Sequence, residues 1–139
     1  MTLEEMKAMA TRLPEAVSSG DLSAFDQVIA PDAVDHSLPP GMPQTVQGTK
    51  MYLGAVLAAF PDLHYHVEDT IAEGDRVMQR VTGHGTMKGD FQGMKAANKS
   101  ATWTEMHIVR FANGKVCEHW AVVDMASMLT QLGFMPGGK

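Results

Sequence analysis

The sequence predicts an α+β fold in one domain, with N-terminal helices packed on a curved antiparallel sheet. Up to Phe60 the apolar residues recur at helical spacing, whereas from Leu63 onward short alternating segments are separated by turn residues. The strand-like segments are joined by Glu73-Gly74-Asp75 and by Ala112-Asn113-Gly114-Lys115, and Asn-Gly is a strong hairpin signal because both residues tolerate positive φ. Two such hairpins in series imply antiparallel pairing, and a sheet curved over helices can enclose a cavity.

Each element has its own signal. Thr2-Leu3-Glu4-Glu5 is a capping box that starts a first helix. Leu3, Met6, Met9, Ala10, Leu13 and Val17 share one face of it, and Ser18-Ser19-Gly20 supplies the stop. Pro14 removes one amide donor and predicts a kink or split near Arg12. Asp21 can cap a second helix carrying Leu22, Phe25, Val28 and Ile29, which Pro31 closes. Val34-Asp35-His36 reads as a brief strand or extended piece, and Pro39-Pro40-Gly41-Met42-Pro43 as a loop at a pocket rim. Gly48-Thr49 introduces a third helix through about Ala59, ended by Phe60-Pro61-Asp62. Strands are expected over 64–72, 76–86, 101–111 and 116–123, with an irregular crossing over 89–93 and a last helix over 125–132 stopped by Gly133. No internal repeat, low-complexity run or linker divides residues 1–139.

Composition excludes several classes of partner. A net charge of -5 with eleven scattered Lys and Arg argues against nucleic acid. The longest nearly apolar stretch, Gly54 to Phe60, is far below the roughly twenty residues that cross a bilayer, so no membrane span is expected. Cys117 is the single cysteine and no charged-then-apolar leader opens the chain, which makes the cytoplasm the expected compartment. Twelve methionines read as adaptable core filling, or as a pocket that moulds to bulky apolar ligands.

The strand 101–111 is the most informative for chemistry. Trp103, Glu105, His107, Val109 and Phe111 share one face by period-two alternation, and polar groups among large apolar ones suggest a lined pocket. A histidine there can donate to a developing enolate oxygen, or it can simply be satisfied by Glu105. In the next strand His119 alternates with Trp120; if Trp120 and Asp124 face one side, His119 faces the other, and only one set lines the cavity. Asp124, at a strand end before a helix, has the position of an N-cap. His64 and His66 share a strand face without a third ligand, so no metal is expected. The glycines over 83–93 lack the strand-to-helix context of a phosphate loop, and Cys117 has no base in its strand pattern.

The stretch Arg110-Phe111-Ala112-Asn113-Gly114-Lys115-Val116-Cys117-Glu118-His119-Trp120, with Asp124 and then Gln131-Leu132-Gly133, resembles the SnoaL-like polyketide cyclase family of the nuclear transport factor two-like superfamily. Ala59-Phe60-Pro61-Asp62-Leu63, Ala72-Glu73-Gly74-Asp75-Arg76-Val77 and Gly83-His84-Gly85-Thr86-Met87-Lys88-Gly89 match that family in order, although Thr86 stands where members often have histidine. The resemblance implies a cone-shaped α+β barrel around one pocket. It further implies cofactor-independent acid/base chemistry on a small hydrophobic carbonyl compound, by deprotonation next to the carbonyl and intramolecular aldol closure. Asp124 would be the acid/base carboxylate and His107 would stabilise the enolate, with Trp103, Glu105, Trp120, His36 and Asp35 lining the site. No metal or cofactor is implied, and a homodimer through the open sheet face is. Water activation, giving hydrolysis or hydration of an epoxide or alkene, and non-catalytic binding of an apolar ligand are the alternatives.

Overall fold

The computed structural model describes residues 1–136, in which four α-helices pack on a five-stranded mixed sheet. Helix α1 (Leu3–Ser19) begins at the expected capping box, with the Thr2 hydroxyl accepting from the Glu5 amide and the Glu5 carboxylate accepting from the Thr2 amide. It runs unbroken through Pro14, so of the kink or split expected there the split does not occur, and it ends at Gly20 in the left-handed conformation. Its buried face, Met6, Ala10, Ala16 and Val17, lies over the sheet.

The second helix is shorter than its apolar pattern suggested. A 3₁₀ turn (Leu22–Ala24) capped by Asp21 leads into α2 (Phe25–Val28), and Ile29 already has extended backbone. Ile29 opens strand β1 (Ile29–Asp35), which pairs in parallel with the last strand along the sheet edge. Pro31 falls between Ile29 and Val34, where the register shifts, so its missing donor leaves no gap in a regular ladder. Helix α3 (Val46–Ala59) starts two residues before Gly48, because the Thr45 hydroxyl caps it by accepting from the Gly48 amide. Gly48 is required by packing: a Cβ there would stand 1.9 Å from the Pro43 carbonyl oxygen.

The remaining strands form the expected meander: β2 (His64–Glu73), β3 (Arg76–Thr86), β4 (Ser100–Ala112) and β5 (Lys115–Val123), each antiparallel to the next. Helix α4 (Met125–Leu132) then packs on β4. The spatial order is β1-β5-β4-β3-β2, so one parallel edge strand completes an otherwise antiparallel sheet. Gly83 leaves room for the Trp103 indole, since a Cβ there would lie 2.7 Å from the ring.

Two apolar clusters flank the inner face. One gathers Phe60, Leu63, Met87, Trp103, Met128 and Leu132; the other gathers Met6, Val28, Val77, Val109, Phe111 and Val116. Each fully buried side chain of this size contributes about 1.5–3 kcal/mol. The methionines are spread over several settings: Met6 and Met87 are core, Met51 and Met106 are exposed, and Met125 and Met128 border the cavity described next. Among the described residues no helix is long and apolar enough to cross a membrane.

Candidate active site

A cavity of about 350 Å³ lies between the helices and the inner face of the sheet, within the size range of small-molecule sites. Its walls are mostly apolar, drawing Leu13 and Val17 from α1, Tyr52 and Val56 from α3, and Val81, Trp103 and Val109 from the sheet. Against this background the polar groups stand out. Period-two alternation turns Glu105 and His107 of β4 inward, as the sequence predicted.

His119 joins them through the β4–β5 pairing. The Ala112–Lys115 turn places Phe111 opposite Val116, and the register then shifts between Arg110 and Phe111, so that His119 comes opposite Val109 on the inner face. The parallel β1–β5 pairing sets Asp35 directly beside His119. Four ionisable side chains from three strands therefore form one series across the cavity wall. The Glu105 Oε1 lies 2.8 Å from His107 Nε2, His107 Nδ1 lies 2.9 Å from His119 Nε2, and His119 Nδ1 lies 2.9 Å from Asp35 Oδ1. The two imidazole planes are inclined by only 13°, with 5.2 Å between centroids.

Both carboxylates are buried and multiply bonded. Burial pushes the Asp35 carboxyl up, but the hydrogen bond and charge of His119, with the hydroxyls of Ser37 and Thr49, outweigh it and hold the group well below the usual carboxylate range. The same opposition acts at Glu105. Burial raises it, while His107, the Trp103 indole N–H at 2.7 Å and the Tyr65 hydroxyl together lower it. Burial, followed by the charge of Glu105, pushes the Tyr65 hydroxyl far up, which keeps Tyr65 a donor to that carboxylate.

The hydrogens of the series can be counted. Its three contacts need three hydrogens, one more than two neutral imidazoles carry. The pair sits between two anchored outer links. Its side chains are 25% and 22% exposed, whereas the flanking carboxylates are nearly covered. No group of three or more His, Cys, Asp or Glu converges as a metal shell among the described residues.

The other predicted site residues go elsewhere. Asp124 is exposed and outside the cavity lining; its carboxylate accepts from the Ser127 amide and caps α4, the local role its position favoured. Trp120 and His36 lie on the opposite face of the sheet. There they stack on each other at 5.2 Å, His36 Nε2 meets Glu118 at 2.7 Å, and Arg76 covers the Trp120 ring. Thr86, at the departure from the family pattern, bonds Asp62 and Ser100. His119, Ser37, Thr49 and Tyr65 were absent from the sequence-based site. Nothing local marked any of the four, and the regular hairpin register would have set Trp120 rather than His119 on the inner face.

The fold and cavity define a small α+β protein with a histidine pair held between two carboxylates in a mostly apolar wall. The chain belongs to the SnoaL-like polyketide cyclase family, whose model matches residues 7–132. It is similar to AclR from Streptomyces galilaeus, a proposed hydroxylase, at 32% identity over 97% of this chain and 100% of that one, with a TM-score of 0.87. It is also similar to IdmH from Streptomyces antibioticus, a proposed polyketide cyclase, at 33% identity over 92% of this chain and 98% of that one, with a TM-score of 0.82. TsrD from Streptomyces laurentii, 20% identical over 97% of this chain and 99% of that one, has a TM-score of 0.89 and shares the fold. No curated protein matches the chain by sequence.

Proposed function

We propose that the protein is a cofactor-independent acid/base catalyst that enolises a small hydrophobic carbonyl compound and closes a ring by intramolecular aldol addition. The observation that carries this is the His107 Nδ1 to His119 Nε2 contact of 2.9 Å, set in the cavity wall between two ionised carboxylates. A substrate carbonyl entering that contact meets an N–H on one ring and a lone pair on the other. The N–H hydrogen passes to the carbonyl oxygen, and the hydrogen on the adjacent carbon passes to the second ring, so the pair keeps its hydrogen count and the substrate becomes an enol. The enol carbon then bonds to a second carbonyl carbon of the same molecule. The enol hydrogen returns to one imidazole as the other protonates the new alkoxide. Asp35 and Glu105 are positioning residues that hold the outer ring hydrogens; His107 and His119 are the catalytic groups.

The test is deuterium uptake from heavy water at the carbon next to the carbonyl in a panel of aryl ketones beginning with 2-acetylnaphthalene, followed by NMR. Uptake by the wild type, loss of at least a hundredfold in His119→Asn and in His107→Asn, and retention in Asp124→Asn are expected. Full uptake in the two histidine variants, or its loss in Asp124→Asn, would sink the assignment. Oxygen-18 entering the product from labelled water would instead indicate hydration.

We also propose that a second copy packs on the outer face of the sheet. Ile71, Met78, Ile108 and Trp120 form an unbroken cross-strand row there, with Met106 and Val122 in the next. Val122 is 73% exposed, and a two-fold contact would cover it together with its counterpart. Sedimentation should give a dimer for the wild type and a monomer for Val122→Arg; a wild-type monomer at working concentration would contradict the proposal.

A further inference from the structure

Gln79 lies on the inner face of β3, between Val77 and Val81, and only 5% of its surface is exposed. A lone amide in an otherwise apolar run of a strand costs desolvation unless its polar atoms are used. Its nitrogen is used twice: Nε2 donates to the Thr11 hydroxyl on α1 at 3.0 Å and to the Thr70 hydroxyl on β2 at 3.3 Å. Thr11 spends its own hydrogen on the Lys7 carbonyl at 2.8 Å, so toward Gln79 it can only accept. This fixes which way the amide points, an assignment that ordinarily rests on choice between two similar atoms.

The carbonyl oxygen is then the atom left over. It accepts from no group among the described residues, yet no buried side-chain nitrogen or oxygen there lacks a partner, so Oε1 borders open space rather than packed protein. The open space that Gln79 borders is the cavity. Gln79 is also paired directly with His107 across the β3–β4 ladder, which sets the two side chains on the same face about 5 Å apart at their bases. Both nitrogens of His107 are engaged, by Glu105 and His119, so His107 does not supply the missing donor.

We infer that the Gln79 carbonyl, aimed into the cavity by Thr11 and Thr70, selects ligands that carry a hydroxyl or amino hydrogen close to the group held at His107. An ether, ketone or carboxylate oxygen in that place would face the amide oxygen with no hydrogen between them and would be disfavoured. Given the aromatic and aliphatic walls, the fitting class is a hydroxyl-bearing fused or aryl ring. Only the cavity part of the functional reading is used; the enolisation chemistry is not.

Calorimetric titration with 2-naphthol and 2-methoxynaphthalene tests this, with naphthalene as the reference for ring burial. The wild type should favour the hydroxyl compound over its methyl ether by about tenfold, the size of one net hydrogen bond. In Gln79→Met, which keeps the length of the side chain and loses the acceptor, the preference should fall to within about twofold. In the double variant Thr11→Val, Thr70→Val the amide is free to turn, and the ether should gain affinity relative to the naphthol. An unchanged preference in Gln79→Met, equal binding of both compounds to the wild type, or failure of the wild type to bind any of the three would overturn the inference. The double variant keeps the test intact if the methionine variant does not fold. Loss of deuterium uptake with the naphthol preference intact would count against the enolisation reading alone.

Discussion

The two faces of the sheet use similar residues for opposite ends. On the inner face, His107 and His119 are locked between buried carboxylates, and every ring nitrogen has at least one partner. On the outer face, His36 also meets a carboxylate, Glu118, and Arg80 meets Asp69 at 2.7 Å, and the Arg80–Asp69 pair is open to water. A pair screened by solvent contributes little and is free to rearrange. A pair removed from solvent is expensive to break and keeps its geometry, which is what a catalytic constellation requires. The lesson is that charge alternation along β4 and β5 acquires meaning from the face it lands on.

The sharpest way to break the comparison is in the apolar shell behind the inner face. Phe60→Ala should cost about 3–5 kcal/mol, because Phe60 is 1% exposed and packs on Trp103 and Phe91, whereas Val122→Ala on the outer face should stay within about 0.5 kcal/mol for the monomer. Urea unfolding of both variants measures the contrast, and similar losses would refute it.

Next in size is the ion-pair contrast. Asp35→Ala leaves His119 without its buried partner and should lose about 3 kcal/mol, while Asp69→Ala should leave the unfolding midpoint nearly unmoved. Acid titration sharpens the same point. The folded protein holds the Asp35 carboxyl below its unfolded value of about 3.9, so its stabilisation is complete above that pH and is lost as pH falls toward the folded value. Asp35→Asn should therefore show a shallower fall in stability below about pH 4 than the wild type. Parallel slopes would contradict the assignment.

The smallest effect belongs to Asp124. Its replacement by Ala removes the α4 cap and should cost about 1 kcal/mol, with deuterium uptake by aryl ketones retained. Greater damage to uptake than to stability would return the catalytic role to that residue.

Much of the fold was legible because its signals are local. The Thr2–Glu5 capping box, the Gly20 and Gly133 stops and the Asn113-Gly114 turn each act within a few residues. The inward set Trp103, Glu105 and His107 followed from strand period alone. Trp120 and His119 did not, because a single register shift beside the hairpin decides which of two neighbours faces in. Asp124 was ambiguous for another reason. Its family position and its capping position coincide, and the carboxylate has gone to the cap.

What the sequence by itself determined was the order of helices and hairpins, the ends of most elements and the inner face of β4, all consequences of short-range hydrogen bonding and side-chain periodicity. The tertiary structure alone decided the site. Asp35 reaches His119 across 84 residues through a parallel strand pairing, and Gln79 is oriented by hydroxyls from a helix and a neighbouring strand. Such contacts arise only when the whole chain closes around its cavity, since no local rule sets which distant strand becomes the edge partner or which buried donor meets which acceptor.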